Sequence, residues 1–145
     1  MPLVWPTLRY FRPTEFGDAD VCAQLDAELL VTLDALRGML GVPLVIHTGA
    51  ITAARAETAD SQHPKGRAVD CSAPDLTLLD FWLYAERFPA FRGVGLYPHW
   101  PRPGLHLDTR PTTVRARWWR DASGRYAEVT PATLALIHDL AEGRP

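Results

Sequence analysis

The chain has 145 residues, of which 47% are hydrophobic and 22% charged. That sets it apart from disordered sequences and is enough for one domain, 1–145, with a true core. A formal net charge of −2 gives no footing for a nucleic-acid partner, and no apolar run is long enough for a membrane span.

Met1-Pro2-Leu3-Val4-Trp5-Pro6 lacks the basic start and apolar run of a signal peptide. Residues 1–20, rich in proline and aromatics, read as an extended strap over the body. Asp26 suits an N-cap, Leu29, Leu33, Leu36 and Leu40 recur at helical spacing, and Gly41 suits the C-terminal stop. Residues 43–47 predict a buried strand. Thr48-Gly49 ends it, and 50–62 predict a loop with a helical turn at Ala53-Ala54. Residues 67–72 predict the next strand. Asp75 or Thr77 then caps a helix with Leu78, Leu79, Trp82 and Ala85 inward, ended by Pro89. Residues 91–97 form a strand punctuated by Gly93 and Gly95, and a proline-stiffened loop leads to a strand at 105–109. The paired Trp118 and Trp119 suit core packing. Asp121-Ala122-Ser123-Gly124 signals a turn, residues 125–129 pair back as a hairpin, and Thr130-Pro131 opens a final helix to about Ala141. Residues 112–145 thus form a C-terminal hairpin and helix. Strands mixed with peripheral helices predict an α+β fold, an antiparallel sheet flanked by helices. Cys22 and Cys71, in a chain without an export signal, predict free thiols.

The chemistry concentrates in two stretches, 61–70 and 104–110. His63 belongs to a loop before Pro64, and Gly66 permits a tight turn. In the strand that follows, alternation puts Ala68 and Asp70 on one face and Val69 and Cys71 on the other, so Cys71 is no ligand. Leu105 and Leu107 would face the core, and His106 and Asp108 the site. His63, Asp70 and His106 then make a three-ligand zinc set with a fourth position free for water. The residues alone leave open metal-free packing of the same side chains, since either stretch by itself is a weak signal.

Ser61, His63, Gly66, Ala68 and Asp70, then Gly93-Val94-Gly95-Leu96-Tyr97, then His106-Leu107-Asp108-Thr109, form an ordered set. It resembles the zinc D-alanyl-D-alanine peptidases with the hedgehog/DD-peptidase fold, above all their small single-domain bacterial and phage members. Tyr10-Phe11 with Glu15-Phe16, Leu33-Asp34-Ala35-Leu36-Arg37 and Gly41-Val42-Pro43-Leu44 add to it, so that it covers roughly residues 10–120. The resemblance implies a hedgehog/DD-peptidase-like fold with one zinc ion on His63, Asp70 and His106. It also implies hydrolysis of amide bonds in peptidoglycan stem peptides, by a D-Ala-type carboxypeptidase or endopeptidase such as a phage lysin. Such a protein would be cytoplasmic as made, or delivered to the cell wall by a phage or virion.

The chain departs from that family at two points. The relatives' general base, a Glu three residues before the last His ligand or a His two before it, falls here on Pro103 and Gly104. Asp108 and His99 are the remaining proton carriers, Asp108 with the alternative role of orienting His106. The arginine that the relatives carry in Ser-Gly-Tyr-Arg is absent from Thr48-Gly49-Ala50-Ile51, leaving Arg55 and Arg67 as substrate-binding stand-ins. Tyr97 can donate to a developing oxyanion or serve as a buried strand residue, and Ser61 can hold backbone near the site. These departures keep a second function open: a catalytically inactive zinc module that binds cell wall or builds a phage particle.

Overall fold

The computed structural model describes residues 4–47 and 61–143. Among these are four α-helices, α1 (Ala19–Gln24), α2 (Ala27–Leu40), α3 (Leu78–Glu86) and α4 (Pro131–Ala141). Six strands, β1 (Val45–Ile46), β2 (Ala68–Ser72), β3 (Gly93–Tyr97), β4 (Gly104–Asp108), β5 (Ala116–Arg120) and β6 (Tyr126–Glu128), form one sheet in the order β1-β2-β4-β3-β5-β6. The predicted α+β class holds. The helix at 53–54 and Arg55 lie outside the described residues.

Local chemistry sets most element ends. The Asp26 side chain accepts from Leu29 N to open α2, and Gly41 closes it at φ 64°, a left-handed position that suits glycine. Thr77, rather than Asp75, caps α3 by accepting from Asp80 N. Thr130 caps α4 with Pro131 behind it. β1 is shorter than predicted. Pro43 cannot donate to a ladder, and pairing with β2 begins at Val45.

The sheet is antiparallel except at β3 and β5, which run parallel. β4 lies between β2 and β3, so the chain leaving β4 must pass β3 before pairing again. It reverses once on the way and so arrives alongside β3.

One face of the sheet is core. Val69, Cys71, Val94, Leu96, Leu105, Leu107 and Trp119 are buried there in one cluster with Leu29, Leu33 and Leu36 of α2, Phe81 of α3 and Ile137 of α4. Both cysteines are free and buried.

The N-terminal segment is not extended as predicted. It folds into 3-10 turns at Trp5–Thr7 and Pro13–Glu15 and then enters α1, capped by Asp18. These turns bring three buried aromatics together, with Phe16 packed edge-on to Trp5 at 5.4 Å and to Phe11 at 5.1 Å. An extended strap could not converge them. The segment is tied to α2 by Asp34, which accepts from Arg9 N, Tyr10 N and Phe11 N at 3.0, 2.8 and 3.1 Å. Glu15 pairs with Arg37 at 2.7 Å.

Candidate metal centre

The other sheet face carries the chemistry, and the register arranges it in rows. Asp70, His106, Gly95, Trp118 and Glu128 are successive cross-strand partners. His47 extends the row at the edge, its N–H bonded to Asp70 O at 2.8 Å. Two residues back along the strands lie Ala68, Asp108, Gly93 and Ala116. Two residues forward lie Ser72, Gly104 and Tyr97, then Arg120 and Tyr126. Alternation therefore separates this face from the leucines behind it, as the sequence predicted.

His63, Asp70 and His106 come together. His63 Nε2 lies 3.4 Å from Asp70 Oδ1, and His106 Nδ1 lies 3.3 Å from the same oxygen. One ligand atom from each residue falls within 4.8 Å of the other two, so the set can hold a metal ion. Both separations exceed the usual N–H···O hydrogen-bond range of about 2.7–3.2 Å. They match the edge of a tetrahedron, about 3.3–3.4 Å, whose arms are about 2.0–2.1 Å. Two of the three edges thus have the length a zinc shell needs, and the third, between the imidazoles, is within 4.8 Å.

Behind the shell, the His106 ring is fixed. Its Nε2 bonds Asp108 Oδ2 at 2.8 Å. Asp108 also accepts from Arg110 through N (3.1 Å), Nε (2.9 Å) and Nη2 (2.7 Å). Nε2 carries the proton in that bond, which makes Nδ1, facing Asp70, the nitrogen available to a metal. Two glycines make room for this. A methyl group on Gly93 would overlap the Asp108 carboxylate, and one on Gly95 would come within 2.5 Å of Trp118 Nε1. Trp118 instead lies 5.2 Å from the His106 ring, with the Arg110 guanidinium 5.2 Å over its own ring.

The electrostatics follow from burial and these partners. Burial alone would raise Asp70 and Asp108. His106 and His63 bring Asp70, and Arg110 and His106 bring Asp108, well below the usual carboxylate range. Burial disfavours the charged form of His106, but Asp108 and then Asp70 raise it to about 9 without a metal. A metal would have to displace that proton. Burial and the nearby Asp70 charge raise the Cys71 thiol well above its ordinary value, and it stays a core residue.

Of the proton carriers expected from sequence, Asp108 is enclosed, with a fully buried side chain. Its place behind His106 suits orientation, not proton shuttling. His99 is exposed and lines a cleft of about 370 Å³ with Tyr97, Trp100, Arg120 and the 121–124 turn. Tyr97 OH accepts from Trp118 Nε1 at 3.1 Å, and burial, the main cause, keeps the hydroxyl protonated and able to donate. Ser61 is half-buried two residues ahead of His63. Arg67 is half-buried and one residue out of step with Ala68 and Asp70, so strand parity does not aim it at the centre.

Sequence reasoning gave no role to Arg110 and placed Trp118 with Trp119 in the core. The tryptophan pair divides: Trp119 is core and Trp118 faces the site, which period-two alternation could have shown. His47 Nε2 pairs with Ser72 Oγ at 2.8 Å, and its ring lies 5.2 Å from Trp100. No known family model matches the chain. No curated protein sequence matches it either.

Proposed function

We propose that the protein is a zinc metallopeptidase acting on amide bonds in peptidoglycan stem peptides. The observation that carries this is the convergence of His63 Nε2 and His106 Nδ1 on Asp70 Oδ1, at 3.4 and 3.3 Å, with all three atoms within 4.8 Å of one another. Two imidazoles and one carboxylate are a donor set suited to zinc with a coordination position left open. The substrate class rests on the resemblance carried by the ordered motifs around those ligands.

A zinc ion held there supplies Lewis acidity to a carbonyl oxygen and to water. Asp108, fixed by Arg110, holds the Nε2 proton of His106 and so keeps Nδ1 available as a ligand atom. Tyr97, hydrogen-bonded to Trp118 and Tyr126, forms the wall of the adjoining cleft. Of the two expected carriers His99 is the exposed one, and it lines the adjoining cleft, so its variant tests whether it serves the reacting water.

A specific observation favours the inactive-module alternative. Pro103 and Gly104 offer no titratable group, and Asp108 is sealed. Digestion of purified sacculi by zinc-loaded protein separates the two. Release of new amino groups supports the peptidase, and a fall of about a hundredfold or more in His99→Ala assigns the proton transfer to His99. Retention on sacculi with no amine released supports the module.

A further inference from the structure

We propose that the cleft lined by Tyr97, His99, Trp100 and the 121–124 turn is a subsite for an extended peptide, occupied by residues on one side of the bond held at the metal centre. This rests on the peptidase function proposed above and adds to it a binding site for substrate residues beyond the one at the metal.

The geometry comes from the rows. Tyr97 and Arg120 stand on the same sheet face as His106, one row beyond Gly95 and Trp118. One row is two residues of strand, about 7 Å. An extended peptide advances about 3.3 Å per residue. Tyr97 is also one strand over from His106, about 4.8 Å, so a chain with one carbonyl at the His63–Asp70–His106 set reaches the cleft about three residues later. A volume of about 370 Å³ falls in the range of small ligand sites and suits a short peptide segment.

The cleft wall is built to stay in place. Tyr97 and Trp100 stack at 4.3 Å and 16°, Trp100 is flanked by His47, and the Tyr97 hydroxyl is tethered to Trp118. The loop bearing Trp100 is pinned by Ser72 Oγ donating to Arg102 O at 3.2 Å. Stacked, tethered rings offer contact area with little conformational entropy left to lose on binding.

An enzyme that removes a terminal residue needs a cationic clamp for the free carboxylate beside the metal. Arg110, the arginine packed behind the centre, gives Nε and Nη2 to Asp108. Arg67 is out of step. Two further described arginines remain: Arg102, near His47 at the edge of the Asp70 row, and Arg120, a row away in the cleft itself.

The test uses zinc-loaded full-length protein and C-terminally amidated peptides of stem-peptide composition, with a reduced amide at the D-alanyl bond so that none is cleaved. Calorimetry reads Kd as the peptide is lengthened by three residues on its amino side or its carboxyl side. Lengthening on one side should tighten Kd at least about tenfold. Ala122→Trp, which fills the cleft from an exposed turn, and Trp100→Ala should each erase that gain while zinc content stays at the wild-type level. A Kd indifferent to length on both sides, or a gain that survives both substitutions, overturns the subsite. Length-dependent binding with sacculi left undigested would retire the peptidase function and keep the subsite, whereas digestion with length-independent binding would retire only the subsite.

Discussion

His63 and His106 face the same carboxylate oxygen but are held in different ways. His106 sits in the middle of β4, its far nitrogen locked to Asp108 and Asp108 locked to Arg110. His63 sits in a one-turn 3-10 helix, His63–Lys65, and its buried Nδ1 has no hydrogen-bond partner among the described residues. What steadies that turn is backbone. Gly66 takes φ 70°, Arg67 N bonds Gln62 O at 3.2 Å, and Asp26 N bonds Gly66 O at 2.8 Å. A side chain at Gly66 would overlap the Gln24 carbonyl. The sheet thus aims one ligand by side-chain bonds, and a turn delivers the other by backbone shape. Orientation at His106 should be sensitive to single side chains that never touch the ion, whereas His63 should depend on the turn.

The largest effect should come from the residue both arms share. Asp70→Ala should take zinc content from about one per chain to about none, read by elemental analysis of protein purified without chelator. His63→Ala should do the same. Next comes the brace. Asp108→Asn should weaken zinc binding by about 10–100-fold in a competition titration while leaving stoichiometry intact. Gly93→Ala should act in the same direction by displacing the Asp108 carboxylate. An unchanged affinity in both variants would mean that His106 needs no brace.

Smaller effects lie away from the site. Asp34→Ala removes the acceptor for three backbone N–H groups and should cost about 1–3 kcal/mol, seen as a Tm lowered by several degrees with zinc affinity unchanged. The smallest involves Glu86, a carboxylate gripped like Asp108 but facing no histidine. It accepts from Trp82 Nε1 at 2.8 Å and Arg117 Nε at 2.7 Å, and it pairs with Arg115. Burial raises its pKa, but Arg117 and Arg115 outweigh burial and hold it below the ordinary value. A depressed folded pKa contributes stability above the unfolded value of about 4.3, lost as pH falls through the folded one. The stability gap between wild type and Glu86→Gln should therefore be present at pH 7 and shrink below about pH 4. A gap independent of pH would show that Glu86 is held by shape alone.

Much of this was legible in residue order. Asp26, the leucine spacing and Gly41 delimit α2 because caps and periodicity act locally. The alternation of Ala68-Val69-Asp70-Cys71 and Leu105-His106-Leu107-Asp108 placed Asp70, His106 and Asp108 on one face, away from the leucines, because a strand's period is strict. What could not be read depends on which strand lies beside which. The insertion of β4 between β2 and β3 makes β5 run parallel to β3, sets Gly93 opposite Asp108, and sets Gly95 between His106 and Trp118. The short helix α1 was missed because its six residues show too little periodicity. The enclosure of Asp108 was not legible because Arg110 turns back on it only after the strand ends.

The most direct test of the shared centre is the zinc-edge anomalous map of a crystal of the zinc-loaded protein. One peak within bonding distance of His63 Nε2, an Asp70 carboxylate oxygen and His106 Nδ1 is the predicted result. A peak elsewhere, or none with those three side chains ordered, would contradict it.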